Sequence, residues 1–191
     1  MARRKLQQTD KLAQIVGAFD EYPVMPEGVS PQLMLSRNNR PLPFYLICEK
    51  DTIVVQMSGT GRIVFKDSAM NYTATVPGDL VYVPARTPHR LFTEADSLIY
   101  RYKAENAGLE GVAWYCEGCN AEVHRLVFDT ATELPQEGYL RAVEGFNADE
   151  GLRTCKSCGA VHPAADASGN NWQAIADELR QGDDDEDDDD W

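Results

Sequence analysis

The sequence predicts an all-β protein, an antiparallel sandwich or barrel, that continues into a C-terminal metal-binding segment. Short runs of β-branched and aromatic residues follow one another between residues 44 and 102, separated by turns such as Pro77-Gly78-Asp79. Many short strands at regular spacing are typical of such folds. Two Cys-x-x-Cys pairs about 35 residues apart indicate a tetrahedral metal site. The 191 residues are enough for one medium domain with an appendage.

The predicted elements follow from local patterns. Residues 9–19 fit a short helix, with Leu12, Ile15, Val16 and Phe19 on one face. Strands are predicted at 33–35, 44–47, 52–57, 61–65, 72–76, 79–83, 89–92 and 97–102, and another at 122–128 in the cysteine region. A final helix at 172–179 ends near Gly182.

These elements suggest five segments. We expect an N-terminal helical segment at 1–22, a barrel at 23–112 and a cysteine-rich metal-binding segment at 113–165. A C-terminal helix at 166–182 and an acidic tail at 183–191 complete the chain. Like charges in a block repel one another and stay solvated, so we expect the tail to be disordered.

Most of the net charge of −13 lies in that tail. Residues 183–190 comprise seven Asp and one Glu, and the rest of the chain carries only −5. The tail is an arm that a basic partner could bind, whereas the lack of a basic stripe argues against nucleic acid. No apolar run approaches the roughly 18 residues of a membrane span. The basic N-terminus precedes no apolar stretch, so we expect no secretory signal and a cytoplasmic protein.

The strongest chemical signal is the cysteine pattern. Each pair closes a tight turn, and two such turns can face each other across an ion. In a reducing cytoplasm these cysteines serve as thiolate ligands and do not form disulfides. The predicted ligands of one structural ion are Cys116, Cys119, Cys155 and Cys158, and an S₄ site suits iron and zinc equally. Cys48 stands outside both pairs and is interpreted as a small buried hydrophobic residue, with a reactive thiol as the alternative.

A second motif lies in the strand-rich region. Gly78, Pro84 and His89 have the spacing of the second cupin motif, in which Gly and Pro bracket a strand and the His re-enters the barrel. A metal ligand facing inward is one interpretation of His89. A hydrogen-bonded barrel histidine is the other.

The region after the barrel resembles bacterial 3-hydroxyanthranilate 3,4-dioxygenase. The resemblance rests on the ordered motifs Trp114-Tyr115-Cys116-x-x-Cys119, Val123-His124-Arg125 and Cys155-x-x-Cys158-Gly159-x-Val161-His162-Pro163, and it covers about residues 37–163. It implies a cupin, a jelly-roll barrel or double-stranded β-helix, with a C-terminal rubredoxin-like Cys₄ segment and short flanking helices. It also implies a homodimer, and it assigns His124 and His162 to the structural segment.

The barrel departs from this family's catalytic pattern. The resemblance implies ring opening by O₂ at an Fe(II) ion held by two His and one carboxylate. His89 matches one ligand, but Leu46 and Thr52 occupy the other two positions, and no His precedes His89. Arg101 replaces the acid–base Glu. One imidazole holds iron poorly, so we expect the barrel iron site to be absent.

Three functions remain open, and the sequence does not decide whether the chain is an enzyme. The first is a diverged dioxygenase-like cupin that binds or converts a small aromatic carboxylic acid. Its predicted pocket consists of Arg40, Leu46, Thr52, His89, Arg90 and Arg101. In this pocket Arg101 either grips the ligand carboxylate or pairs with an acid of the chain.

The second function is a non-catalytic cupin that binds a ligand or a partner protein. The third is an active ring-cleaving dioxygenase in which Cys48, Glu49 or Asp51 substitutes for the missing iron ligands.

Overall fold

Two antiparallel sheets form the body of the protein. The computed structural model describes residues 8–25, 29–66 and 72–186. Within them the strands are β1 (Tyr22–Pro23), β2 (Gln32–Asn38), β3 (Tyr45–Cys48), β4 (Thr52–Ser58), β5 (Gly61–Phe65), β6 (Tyr72–Thr75), β7 (Leu80–Val83), β8 (His89–Thr93), β9 (Ser97–Lys103), β10 (Leu109–Tyr115) and β11 (Glu122–Asp129). The helices are α1 (Thr9–Leu12), α2 (Pro135–Ala148), α3 (Glu150–Arg153) and α4 (Trp172–Glu186).

The strand order is that of a jelly roll. One sheet runs β1-β2-β9-β4-β7 and the other β11-β10-β3-β8-β5-β6. Without the outer additions β1, β10 and β11, eight strands remain in two sheets of four, β2-β9-β4-β7 and β3-β8-β5-β6. This arrangement of two facing sheets is the one that cupins share with other jelly rolls, so the predicted fold class is confirmed.

Alternation along the strands decides which side chains enter the barrel. In β9, Ser97, Ile99, Arg101 and Lys103 are buried, whereas the residues between them are partly exposed. The same period of two buries Thr52, Val54 and Gln56 in β4. Two cations in successive inward positions of β9 are unusual for a barrel interior, and they define the site described below.

Helix α2 covers the β10–β11 hairpin that extends the second sheet. The ring of Phe146 stacks on Trp114 with centroids 3.9 Å apart and planes 3° apart. Phe44, Tyr139 and Trp172 join the same aromatic cluster, in which Phe44 lies 5.3 Å from Tyr139 and 6.0 Å from Trp172. The cluster is continuous with the apolar core between the sheets. It attaches the C-terminal helices to one end of the barrel.

The helices differ from the sequence prediction at both ends. The predicted helix at 9–19 stops at Leu12, because backbone donors further on have partners outside a helix: Gly17 donates to the carboxylate of Asp20, three residues on, and Ala18 to the distant Gly169 carbonyl. The C-terminal helix passes the expected end near Gly182 and reaches Glu186. Helices α2 and α3 and strands β1 and β10 were not predicted.

The acidic tail overlaps the end of α4. Its first four residues, 183–186, continue α4 in backbone, and 187–191 lie outside the described residues, so the expected disorder of the tail stays a prediction. None of the helices in the described part of the chain is long and apolar enough to span a membrane.

Candidate functional site

The four paired cysteines lie on two turns of the same shape. In the first, Cys116 donates its N–H to Ala121 O at 2.8 Å, and Asn120 N donates to Cys116 O at 2.9 Å. In the second, the corresponding bonds run from Cys155 to Ala160 O and from Gly159 to Cys155 O, both at 2.8 Å. Asn120 and Gly159 hold equivalent positions with positive φ, 61° and 75°. Two separate sequence segments therefore present their sulfurs in matching geometry.

The sulfur atoms converge as metal ligands do. Cys116 and Cys158 sulfurs are 3.5 Å apart, as are those of Cys119 and Cys155, and all four lie within 4.8 Å of one another. A tetrahedral ion with metal–sulfur bonds near 2.3 Å requires sulfur separations of about 3.8 Å. The quartet fits one structural iron or zinc ion.

Among the described residues, this quartet is the only convergent group of three or more His, Cys, Asp or Glu side chains. His162 instead points its Nδ1 at Pro163 O, and His124 stacks near the Trp114 ring at 6.1 Å.

The barrel centre brings His89, Thr52, Leu46 and Arg101 together. Leu46 is the direct cross-strand partner of His89. Arg101 Nη1 lies 2.8 Å from His89 Nε2 and 3.5 Å from Thr52 Oγ1. His89 is 0% exposed and Arg101 3%.

These residues do not fit a barrel iron ion. His89 Nδ1 lies 3.0 Å from the Thr87 carbonyl, an acceptor only, so Nδ1 carries the proton. The Nε2 lone pair then accepts from Arg101, which can only donate. The one imidazole nitrogen that could bind a metal is therefore engaged by a permanent cation, and Leu46 and Thr52 add no carboxylate or imidazole.

Arg101 belongs to a buried ionic cluster that we call the barrel cluster: Glu21, Arg101, Lys103, Glu110 and Tyr139. Arg101 Nε is 2.8 Å from Glu21 Oε1, and Lys103 Nζ is 2.6 Å from Glu21 Oε2 and 2.8 Å from Glu110 Oε1. The Tyr139 hydroxyl completes it, 2.9 Å from Glu21 Oε2 and 2.6 Å from Glu110 Oε2. Of the alternatives that the sequence left open, Arg101 pairs with an acid of the chain.

Burial and the charges of the barrel cluster set the pKa values of Glu21 and Tyr139 and of two neighbours, His89 and Cys48. Burial raises the pKa of Glu21, but Lys103 and Arg101 outweigh it and hold the pKa at about 2. Burial and then Arg101 lower the pKa of His89 to about 3, so this imidazole is neutral. Burial raises the pKa of Cys48 to about 12, with Glu110 adding to the effect, so Cys48 remains a thiol. Burial raises that of Tyr139 as well.

The other predicted pocket residues lie elsewhere. Arg40 donates to Ser168 Oγ at 2.6 Å and to Asn39 Oδ1 at 3.0 Å, and so holds a loop. Arg90 donates to Leu42 O at 2.6 Å, and its guanidinium lies 4.8 Å from the Phe92 ring. The structure thus does not assemble the three arginines around one ligand.

The proposed substitute iron ligands also have structural partners. Asp51 accepts from Ala85 N at 2.7 Å, and Glu49 accepts from Leu109 N at 2.7 Å.

Sequence reasoning missed most of the barrel cluster. Lys103 and Glu110 are charged residues at inward positions of β9 and β10. Because side chains alternate along a strand, an inward Ile99 predicts an inward Lys103. Glu21 and Tyr139 come from outside the barrel strands, so no local pattern signals them. Their separation of 118 residues is bridged only in the folded chain.

The chain is similar in sequence to proteins named 3-hydroxyanthranilate 3,4-dioxygenase. It is 32% identical to that of Bacillus thuringiensis (strain Al Hakam) over 88 residues, 45% of this chain and 48% of the relative. The identity is 33% over 98 residues to the Podospora anserina protein, covering 49% and 50% of the two chains. For Scheffersomyces stipitis it is 30% over 103 residues, covering 51% and 55%. The chain spans about half the length of the curated relatives it matches.

The chain also resembles solved structures at low sequence identity. A cupin-2 domain containing protein from Shewanella frigidimarina aligns with a TM-score of 0.43 and 18% identity, covering 52% of this chain and 93% of that one. A hydroquinone 1,2-dioxygenase from Sphingomonas sp. TTNP3 aligns with a TM-score of 0.44 and 12% identity, covering 50% and 71%. No protein-family model matches this chain.

Proposed function

We propose that this chain is a dioxygenase-like cupin that acts by binding and does not cleave aromatic rings with barrel iron. The observation that carries the proposal is the Arg101 guanidinium 2.8 Å from His89 Nε2, in place of a metal. A cation fixed there repels Fe(II) and uses the lone pair that would bind it. In the surrounding barrel, Leu46 and Thr52 stand where the resemblance expects a second His and the carboxylate.

Within the part of the chain that the structure describes, metal binding then belongs to the cysteine quartet. Cys116, Cys119, Cys155 and Cys158 would hold one structural iron or zinc ion, which supplies folding energy by joining the two turns. The ion would tie the β10–β11 hairpin to the segment after α3. In this proposal the quartet keeps the barrel and its covering helices together and takes no part in catalysis.

Metal stoichiometry tests this assignment. We expect one iron or zinc ion per purified chain, measured by elemental analysis. Cys116→Ser should release the ion and lower the melting temperature, because structural thiolate sites contribute folding energy. His89→Gln should leave the metal content at one. Two ions per chain in the unmodified protein, or loss of metal in His89→Gln, would contradict the assignment.

Ring cleavage is the second candidate, because the relatives that share 30–33% identity carry that name. Oxygen uptake with 3-hydroxyanthranilate and added Fe(II) separates the two candidates. We expect no uptake above the protein-free rate in a folded sample with its cysteine metal in place. Uptake that His89→Gln abolishes would establish the second candidate instead. The homodimer and a basic partner for the acidic tail remain predictions.

A further inference from the structure

We propose that the barrel centre is a binding site for a small carboxylate, and that Glu21 of the chain's own N-terminal segment occupies it. Two cations hold the carboxylate of Glu21: Arg101 Nε at 2.8 Å and Lys103 Nζ at 2.6 Å. The Tyr139 hydroxyl has a single hydrogen, which it shares between this carboxylate at 2.9 Å and Glu110 Oε2 at 2.6 Å. Two cations directed at one carboxylate are how proteins recognise such ligands. Carboxylate binding at this site needs no metal ion in the barrel and no catalysis.

Charge balance shows why the site demands an anion. Arg101 and Lys103 bring two positive charges, and Glu21 and Glu110 bring two negative ones. His89 and Cys48 contribute no charge, because both are buried in their neutral forms. Without the Glu21 side chain, one positive charge would stay buried and unpaired, which proteins tolerate poorly. A monocarboxylate restores both the charge and the hydrogen bonds.

Glu21 enters the barrel from outside, much as a ligand would. It precedes β1 and is not part of a barrel strand that lines the site. Its φ is +48° and that of Phe19 is +57°, a region that non-glycine residues seldom occupy. Contacts from the helices hold this strained segment: Gln136 Nε2 donates to the carbonyls of Asp20 and Glu21, both at 3.0 Å.

The geometry also limits the size of the ligand. Removal of the Glu21 side chain leaves room for a carboxylate with two further carbon atoms, which fits formate, acetate or propionate. An aromatic acid needs more space than one side chain vacates. An aromatic acid would therefore bind only if the N-terminal segment around Glu21 moves away from the barrel centre.

The variant Glu21→Gly opens the site without backbone strain, because glycine adopts positive φ readily. We expect its melting temperature to fall by on the order of 10 °C. Sodium formate or acetate at millimolar concentration should recover most of this loss, and calorimetry should detect one carboxylate bound per chain. Acetamide and sodium chloride at equal concentration should not. The unmodified protein should bind formate at least about tenfold more weakly, since Glu21 competes.

Two control variants make the test specific. Glu21→Gln removes the charge but fills the space, so it should lose stability and not respond to formate. Glu133→Gln removes a surface partner of Arg141 and should neither lose much stability nor respond. A folded Glu21→Gly that formate stabilises no more than chloride would refute the proposal. If Glu21→Gly does not accumulate in folded form, the yield of folded protein after dilution from urea is compared in formate and in chloride. Equal yields in the two salts would refute the proposal.

Discussion

At the scale of single residues, His89 illustrates how one neighbour changes the chemistry of a side chain. The position after Gly78 and Pro84 is that of an inward-facing cupin histidine. Its Nε2 nevertheless accepts a hydrogen bond from Arg101, and its Nδ1 donates to Thr87 O. Both nitrogens are satisfied within the protein. A residue that reads as a metal ligand in the sequence is therefore a neutral, hydrogen-bonded barrel histidine in the structure.

His89 should make the protein sensitive to mild acid. Its pKa is about 3 when folded, below the usual 6.5, so the unfolded chain binds more protons between these values. Stability therefore falls as the pH drops from 6.5 towards 3, by about 5 kcal/mol at most. Glu21, with its pKa near 2 against 4.5, adds a loss in the same direction below pH 4.5.

His89→Gln tests this prediction, because glutamine can still accept from Arg101 but does not titrate. Urea denaturation of both proteins at pH 7.0, 6.0, 5.0 and 4.5 measures the difference in unfolding free energy. We expect the variant to lose less stability than the parent between pH 6.5 and 4.5. The cysteine site and His124 contribute equally to both proteins and cancel in the difference. Parallel curves over this range would show that His89 is not buried in its neutral form.

At the scale of elements, helix α2 carries signals that were present in the sequence. Pro135 stands at its first turn, and Glu137 accepts from Leu134 N at 3.1 Å as in a capping box. Tyr139, Ala142, Val143 and Phe146 follow at helical spacing and are all buried. These helical signals lie between the two cysteine pairs, whose own pattern predicts the metal site and no helix.

The packing of α2 makes its two glycines respond in opposite ways. A Cβ at Gly138 would lie 2.6 Å from ring carbons of Phe128, whereas one at Gly145 meets nothing within 4 Å. Gly138→Ala should destabilise the protein by about 1–3 kcal/mol through this clash. Gly145→Ala should stabilise it by up to about 1 kcal/mol, because alanine favours helix. Urea denaturation measures both, and stabilisation by both substitutions would mean that α2 does not pack on Phe128.

At the scale of the whole molecule, one side chain joins the C-terminal helix to the barrel mouth. Trp172 at the start of α4 is 1% exposed, and its Nε1 donates to Phe19 O at 3.0 Å. Its ring also contacts the Phe44 and Tyr139 rings, the latter at 5.8 Å. The N-terminal segment, the barrel and α4 thus meet at this residue, and they should unfold together.

Replacing Trp172 tests that cooperativity. Trp172→Ala should cost about 3–5 kcal/mol, because it leaves a large cavity in the aromatic cluster. Trp172→Phe keeps most of the packing and loses the hydrogen bond to Phe19. We expect it to lower the unfolding free energy by about 1 kcal/mol for the bond and by a smaller amount for the lost packing. Denaturation followed by fluorescence and by circular dichroism gives both values. If the unmodified protein shows two separate unfolding transitions, the N-terminal segment, the barrel and α4 do not unfold together.

The sequence by itself determined the β class, the positions of most strands and the four cysteines that converge. Each of these rests on short-range regularity: a period of two along strands, turn residues between them, and two residues between paired cysteines. The resemblance to the dioxygenase family, and no local regularity, grouped Leu46, Thr52, His89 and Arg101, and the structure does bring these four residues together.

Only the tertiary structure decided what Arg101 does. Its partner Glu21 lies 80 positions away in the sequence, outside the barrel strands, and Tyr139 comes from a helix after them. Charge pairing in a barrel depends on which side chains contact one another in the folded chain. The periodicity of the sequence does not predict contacts between an N-terminal turn, a strand and a helix. Burial then sets the strength of each interaction, since removal from water turns ordinary acids and bases into one interdependent cluster.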